Sequence, residues 1–331
     1  MRAGEPESLF FLNDTLMRKN EIFRLIGLAL LMISCSGKHS DNKAQLPEKG
    51  SNTTITFPFP EIPAVLAQAE ERKKYLLEHF WDSFDFSDTL LINNREISEQ
   101  GLANQLSLLA DETVPEEWKI KSIDNLCTGM EGHEHARSVF MQWIENYLNH
   151  PNSPFHNEPL YSIYLQRMLC SRTLDEAWKS SLEFQLKLLE RNLPGAKAED
   201  FVYYLPDGSR ATLARTYVKG DYLLLVFYDP DCPNCHKTLE EMTADRELSG
   251  MAAAGKLTVL AVYTEGDETV WRNSLADMPG EWLAGNDRQT VKENALYDLR
   301  AMPSLYLLDK HKTVILKDAS YEAVKKNLGI R

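Results

Sequence analysis

The sequence predicts two folded regions of different class, an all-α region followed by an α/β region. Three observations carry this. From Phe57 to Asn192 apolar residues recur at helical spacing with little glycine. After Pro194-Gly195 the texture changes to continuous apolar runs of strand length. One of those runs feeds a Cys-Pro-Asn-Cys sequence at the start of a helical stretch. The 331 residues also allow about two domains at ~150 residues each.

Composition narrows the function classes. Lys and Arg number 36 against 49 Asp and Glu, a formal net charge of -13. An acidic surface repels phosphate backbones, so no nucleic-acid partner is expected. Hydrophobic residues are 43% and charged residues 26%, an ordinary globular balance that excludes disorder throughout. No uninterrupted apolar run reaches the ~18 residues of a spanning helix. Five cysteines are too few for a disulfide scaffold in a chain this long.

The start of the chain reads as a targeting segment. Met17-Arg18-Lys19 and Arg24 form a basic head, and Leu25 to Ile33 is a short greasy core. Ser34 supplies the small residue before a cut. Ile33-Ser34-Cys35 resembles a bacterial lipobox, which implies cleavage before Cys35 and diacylglycerol on its thiol. Acyl chains suffice as an anchor, at ~0.8 kcal/mol per buried CH₂. An ordinary cleaved signal followed by a chance cysteine is the alternative. Residues 1–16 carry Glu5, Glu7 and Asp14 ahead of the basic head, and are read as a mis-called start. Residues 17–34 are the signal. Residues 35–54 are polar without an apolar face and read as a flexible tether. The expected location is the bacterial cell envelope, lipid-anchored on the periplasmic side or at the cell surface.

Residues 55–193 form the expected helical domain. Pro63 opens a first helix, with Leu66, Ala69, Leu76, Leu77, Phe80, Trp81 and Phe84 on its apolar stripe. Ile97, Leu102, Leu106 and Leu109 mark a second. Pro115-Glu116-Glu117 starts a third, which runs on to Met130. Val139 to Leu148 form a fourth, and Pro151 and Pro154 mark a loop. Leu160 to Leu169 form a fifth. Thr173-Leu174-Asp175-Glu176 has a capping-box pattern that opens a sixth, ending near Asn192. Aromatic stripes at this spacing read as core. His133 and His135 lie two apart near a helix start, which points them to different faces, so no metal site is expected there. Cys127 and Cys170 fall on apolar helix faces. They are either buried free thiols or, in an oxidising compartment, a pair.

Residues 194–331 form the expected α/β domain. Phe201 to Tyr204 is strand-like, Asp207-Gly208 is a turn, and Ser209 to Leu213 follows. Tyr222 to Tyr228 is a fully buried strand, ended by Asp229-Pro230-Asp231. Then come Cys232-Pro233-Asn234-Cys235 and a helix from His236 to Arg246. Lys256 to Tyr263 is a second buried strand. Helices are expected around Thr269 to Leu275 and Val291 to Leu299. Met302-Pro303-Ser304 leads to a strand at Leu305 to Leu308, a turn at Asp309 to Lys312, and a strand at Thr313 to Leu316. Tyr321 to Leu328 is a final helix.

A strand that delivers C-x-x-C to a helix start is a redox arrangement. The free N–H groups and positive dipole end of the helix stabilise a thiolate. Cys232 is the exposed attacker, and Cys235, one turn in, resolves the mixed disulfide. Pro233 suits the first turn, where a missing N–H costs nothing. The motif has rivals. Cys232 to His236 also satisfies C-x-x-C-H, the c-type haem attachment pattern. A zinc site needs a second ligand pair, and none is evident. A purely structural disulfide is a further reading.

These residues together resemble the thioredoxin superfamily, over roughly Pro194 to Arg331. The resemblance implies a central mixed sheet flanked by helices and a cis Pro303 beside the cysteine pair. It also implies that the backbone of Met302 faces a substrate strand. Tyr228-Asp229-Pro230-Asp231-Cys232 is similar to lipid-anchored bacterial proteins that join an uncharacterised helical domain to such a fold, and less closely to membrane-tethered reductases of cytochrome maturation. Thioredoxins carry a buried acid six positions before the first cysteine, where this chain has Val226. They carry a tryptophan directly before that cysteine, where it has Asp231. Asp229, Asp231 or a water then stands in for the acid. Both aspartates are expected to raise the Cys232 pKa, and His236 has a possible tuning role.

The function expected is a lipid-anchored, extracytoplasmic thiol–disulfide oxidoreductase, in the reducing direction. Its partners are protein thiols and disulfides, with an upstream membrane thiol donor. No metal or organic cofactor is required. An oxidase or isomerase is the near alternative. The distant one is a binding protein whose helical domain engages a partner, with the second domain as a docking module.

Overall fold

The structure, a computed structural model, describes residues 56–330. The signal segment, Cys35 and the tether to residue 54 lie outside the described residues. From Pro58 onward the chain forms one compact unit. Among the described residues no helix is long and apolar enough to cross a membrane.

Among the described residues seven α-helices come first: α1 (Ala69–Glu78), α2 (Thr89–Asn93), α3 (Ser98–Leu109), α4 (Glu116–Glu131), α5 (Glu134–Ile144), α6 (Glu158–Leu169) and α7 (Glu176–Leu189). A π-helical turn, Glu145–Asn149, ends α5. Trp81, Phe84, Phe86 and Phe140 form a buried aromatic knot, with Phe140 edge-on to Trp81 at 5.2 Å between ring centroids. Trp81 Nε1 donates to Gln105 Oε1 at 2.8 Å, and Gln105 Nε2 donates to Ser122 Oγ at 2.8 Å. A buried indole N–H and a buried amide are thereby satisfied.

Three expectations need correction here. Pro63 closes a single turn, Leu66 N–H to Pro63 O at 3.0 Å, and the helix begins only at Ala69. Ala64 is exposed and Val65 is 83% exposed, so the turn has little packing to sustain its nucleation cost. Phe80, Trp81 and Phe84 follow the end of α1 and are buried from a turn-rich segment. The cap of α7 is Asp175, whose side chain accepts from Trp178 N–H at 2.8 Å. Thr173 instead donates its hydroxyl to Glu131 O at 3.0 Å and accepts from Arg137 Nη1 at 3.1 Å, and no capping box forms. Cys170 caps the C-terminus of α6 and is exposed, whereas Cys127 is buried in α4; both are free thiols.

The α/β part runs β1 (Val202–Tyr204), β2 (Arg210–Thr212), β3 (Tyr222–Tyr228), α8 (Pro233–Ala244), α9 (Arg246–Ala253), β4 (Leu257–Tyr263), α10 (Glu268–Ser274), β5 (Leu283–Asn286), α11 (Thr290–Glu293), β6 (Ser304–Asp309), β7 (Val314–Leu316) and α12 (Tyr321–Leu328). The sheet order is β2-β1-β5-β4-β3-β6-β7. β3, β4 and β5 are parallel; β6 is antiparallel to β3, β7 to β6, β1 to β5 and β2 to β1. The mixed sheet flanked by helices is therefore present. Side chains alternate along β3. Leu224, Val226 and Tyr228 pack with Met242, Trp271 and Val324 on one face. Leu223, Leu225 and Phe227 pack with Tyr297 and Tyr306 on the other. Both faces are covered, which is why the strand reads as an unbroken apolar run. Outside β7 the linker adds a bridge, Lys197 to Thr313, with Gly195 N–H donating to Val314 O at 2.8 Å.

Two further differences are local. The helix expected at Val291 to Leu299 stops at Glu293. Ala295 is left-handed (φ 47°), and Tyr297 and Leu299 are buried from an irregular segment. Strand β5 has no counterpart in the sequence pattern. Its Leu-Ala-Gly-Asn sequence has no β-branched residue, but Gly285 lets the Tyr203 ring approach to 2.5 Å of where a Cβ would stand.

Candidate active site

The chemistry gathers at the carboxyl end of β3. The strand delivers Asp229-Pro230-Asp231, and Cys232 then occupies the N-cap of α8 with extended backbone (φ -90°, ψ 119°). Pro233 is the first helical residue, where its missing N–H leaves nothing unpaired. Cys232 is half-buried, and its thiol faces Met302 O at 3.7 Å. The Met302–Pro303 peptide is cis. Met302 packs against the cores on both sheet faces, so the loop bearing it caps the end of the sheet.

Cys235 is buried one turn in, at 0% exposure. Its sulfur accepts from Asp229 N–H at 3.5 Å. Burial pushes the thiol up to about 12, opposed by that N–H and reinforced by Cys232 and the Asp229 charge. The two thiols thus have separate environments. The outer one meets solvent, the positive end of α8 and a backbone carbonyl; the inner one is buried, which favours its protonated form.

Met302, Pro303, Cys232, Cys235 and Asp229 come together. The half-buried Asp229 accepts from Asp231 N–H at 3.0 Å, which fixes its carboxylate. The Asp231 side chain is exposed, as is His236 in the first turn of α8. Val226 is fully buried at 0% exposure, so no carboxylate lies under Cys235 from that position. Among the described residues no group of three or more His, Cys, Asp or Glu is placed to hold a metal ion. A haem attached through both cysteines would need both sulfurs outside the fold, and Cys235 is not.

Sequence reasoning missed several groups around this site. Ser304 Oγ, directly after Pro303, donates to Asp318 Oδ1 at 2.7 Å. Tyr263 stands beside Tyr228, with 6.2 Å between ring centroids; its hydroxyl accepts from Asp267 N–H at 3.2 Å, burial raises its pKa, and the Asp229 charge adds to the rise. Asp287, at the end of β5, is wholly buried. Its carboxylate accepts from Gln289 N–H at 3.1 Å and Val291 N–H at 2.8 Å, and burial raises it to about 6. The strand-end Asn-Asp pair before the short α11 was the available signal for Asp287. None marked Asp318.

The chain has relatives for both parts. Residues 34–192 match a family described as a domain of unknown function, and residues 210–321 match the thioredoxin-like domain. A thioredoxin-like protein from Bacteroides caccae is 35% identical; the match covers 84% of this chain and 99% of that one, with a TM-score of 0.73. The C-terminal domain of an uncharacterized protein from Bacteroides fragilis is 40% identical over 42% of this chain and 98% of its own, with a TM-score of 0.40. A domain of a possible thiol-disulfide isomerase from Cytophaga hutchinsonii is 27% identical over 42% of this chain and 93% of its own, with a TM-score of 0.37. No curated protein matches the chain.

Proposed function

The chain belongs to the family of thioredoxin-like proteins that carry a helical N-terminal domain, and from that premise we propose that it reduces protein disulfides. One observation carries the reading. Cys232 sits at the N-terminus of α8, beside the carbonyl before a cis proline, with Cys235 buried behind it.

The Cys232 thiolate attacks one sulfur of a substrate disulfide. A mixed disulfide forms and one substrate thiolate leaves. Cys235 then gives up its proton to the departed substrate thiolate or to water, and its thiolate attacks the Cys232 sulfur, releasing the second substrate thiolate. Two electrons pass to the substrate, and the protein is left with a Cys232–Cys235 disulfide. An upstream dithiol donor restores the pair. Met302 supports docking by offering backbone groups to an extended substrate segment. Asp229 acts on Cys235 proton loss in two opposed ways: its backbone N–H, which donates to the sulfur, favours the thiolate, and its carboxylate charge disfavours it. The reducing direction rests on the weaker resemblance of Tyr228 to Cys232 to membrane-tethered reductases. Lipidation at Cys35, and with it an envelope location, rests on the Ile33-Ser34-Cys35 pattern.

The test is a redox titration in defined thiol buffers, of a fragment starting after Cys35, with thiol trapping at Cys232 and Cys235. A potential near the ~ -270 mV of thioredoxin is expected; one near the ~ -120 mV of the strong periplasmic oxidant reverses the direction. A pair that never exchanges removes the catalytic reading.

A further inference from the structure

Polar contacts join the helical part to the α/β part on either side of Met302 and Pro303 in the chain, at Asn294, Ala295 and Leu296 before them and at Lys317 after them. Ahead of the cis peptide, Arg191 Nη1 donates to Asn294 O at 3.1 Å and also to Ala295 O. Asn192 Nδ2 donates to Leu296 O at 2.8 Å. Behind the cis peptide, the buried Ser304 is held through its hydroxyl by Asp318. The next residue back, Lys317, reaches out of the α/β part. Its side chain is 7% exposed, and its ammonium donates to Glu158 Oε2 at 2.8 Å and to Leu189 O at 2.8 Å. Glu158 is the first residue of α6 and Leu189 the last of α7.

Each of these partners suits its place. A carboxylate belongs in the first turn of a helix and a cation at the last carbonyls of another. An ammonium out of water is tolerable only with partners in good geometry, so losing either one is felt strongly. The pair therefore fixes one relative position of Lys317 and, through the backbone, of Asp318. Both flanks of the cis-proline loop are thus tied to the helical part.

We infer that Glu158 and Lys317 are positioning residues through which the helical part holds the cis-proline loop where a polypeptide substrate docks. This rests on the oxidoreductase reading above and names its substrate class. A polypeptide disulfide uses the backbone groups of Met302. A small disulfide reaches Cys232 without them. The helical part accordingly acts on docking and leaves electron transfer alone.

The experiment uses the full chain, with dithiothreitol as electron source, insulin as the polypeptide disulfide and hydroxyethyl disulfide as the small one. Glu158→Gln and Lys317→Ala are expected to raise KM for insulin by roughly 3- to 30-fold, the usual range for coupling through packed networks. The kcat for insulin, the rate with hydroxyethyl disulfide and the Cys232–Cys235 potential are expected to stay as in the wild type. Lys317→Arg keeps the charge and is expected to restore most of the affinity. In a double-mutant cycle, Glu158→Gln and Ser304→Ala are expected to be non-additive in KM. An unchanged KM in both variants overturns the inference. So does an equal loss with both disulfides, which is what mere destabilisation produces. A wild-type protein that reduces neither disulfide removes the oxidoreductase reading and the inference with it, and the wild-type control tells that case from the others.

Discussion

The helical part and the α/β part each enclose a buried thiol. Cys127 lies in α4 and Cys235 in α8, and burial pushes both up to about 12. Their acidity is alike and their surroundings are not. Cys127 lies in a packed helix interior, with Arg167, Asp124 and Glu131 as the charged groups that act on it. Cys235 stands behind a second thiol at a helix N-terminus, and a loop N–H points at its sulfur. A buried thiol is inert by default. What makes one a resolving group is a neighbouring sulfur to attack, so placement rather than acidity separates the two regions.

The largest test of that contrast is activity. Cys232→Ser is expected to bring insulin reduction down to background, and Cys127→Ser to leave it near wild type. The reverse pattern in a turbidity assay breaks the comparison. Stability comes next. Phe140→Ala in the aromatic knot and Phe227→Ala in the sheet core are each expected to cost about 3–5 kcal/mol. Arg191, Asn192 and Lys317 tie the regions together, so both variants should lower the same urea transition. Two separated transitions in the Phe140→Ala variant would show the cores to be independent.

The smallest effect sharpens the α/β side alone. Asp287 is raised from 3.8 to about 6 by burial, so folding favours its protonated form. Its stabilising contribution is complete below the unfolded value and is lost as pH rises through the folded one. Between pH 7 and pH 5 the wild type should gain about 1 kcal/mol from this group. Urea midpoints at the two pH values measure it. Asp287→Asn should lose that increment, and an equal gain in the variant assigns it elsewhere.

What could be read from the sequence was local. Tyr222 to Tyr228 is apolar without a break, and that run is the strand. Tyr321 to Leu328 is helix over those same residues, with Ser320 as its cap. The cysteine pair and Met302-Pro303 could be found because strand, motif and proline follow in a recognisable order. Strand β5 could not, because its strand character depends on how closely the Tyr203 ring approaches Gly285. Asp175 rather than Thr173 caps α7, and the Thr173 hydroxyl is engaged by Glu131 O and the Arg137 guanidinium, both from earlier helices. The Glu158–Lys317 contact joins positions 159 apart, and no pattern along the chain announces it.

The Lys197–Thr313 bridge has a consequence for how copies of the chain coexist. An open sheet offers unpaired backbone groups at each outer strand, a template on which a second molecule can add. Here the linker occupies the β7 side, and Ala198 N–H also donates to Lys312 O at 2.9 Å. The opposite rim is β2, only three residues long and opening on Arg210. A short rim with a cation and a covered rim both resist strand addition, so crowding many copies together does not favour edge-to-edge aggregation.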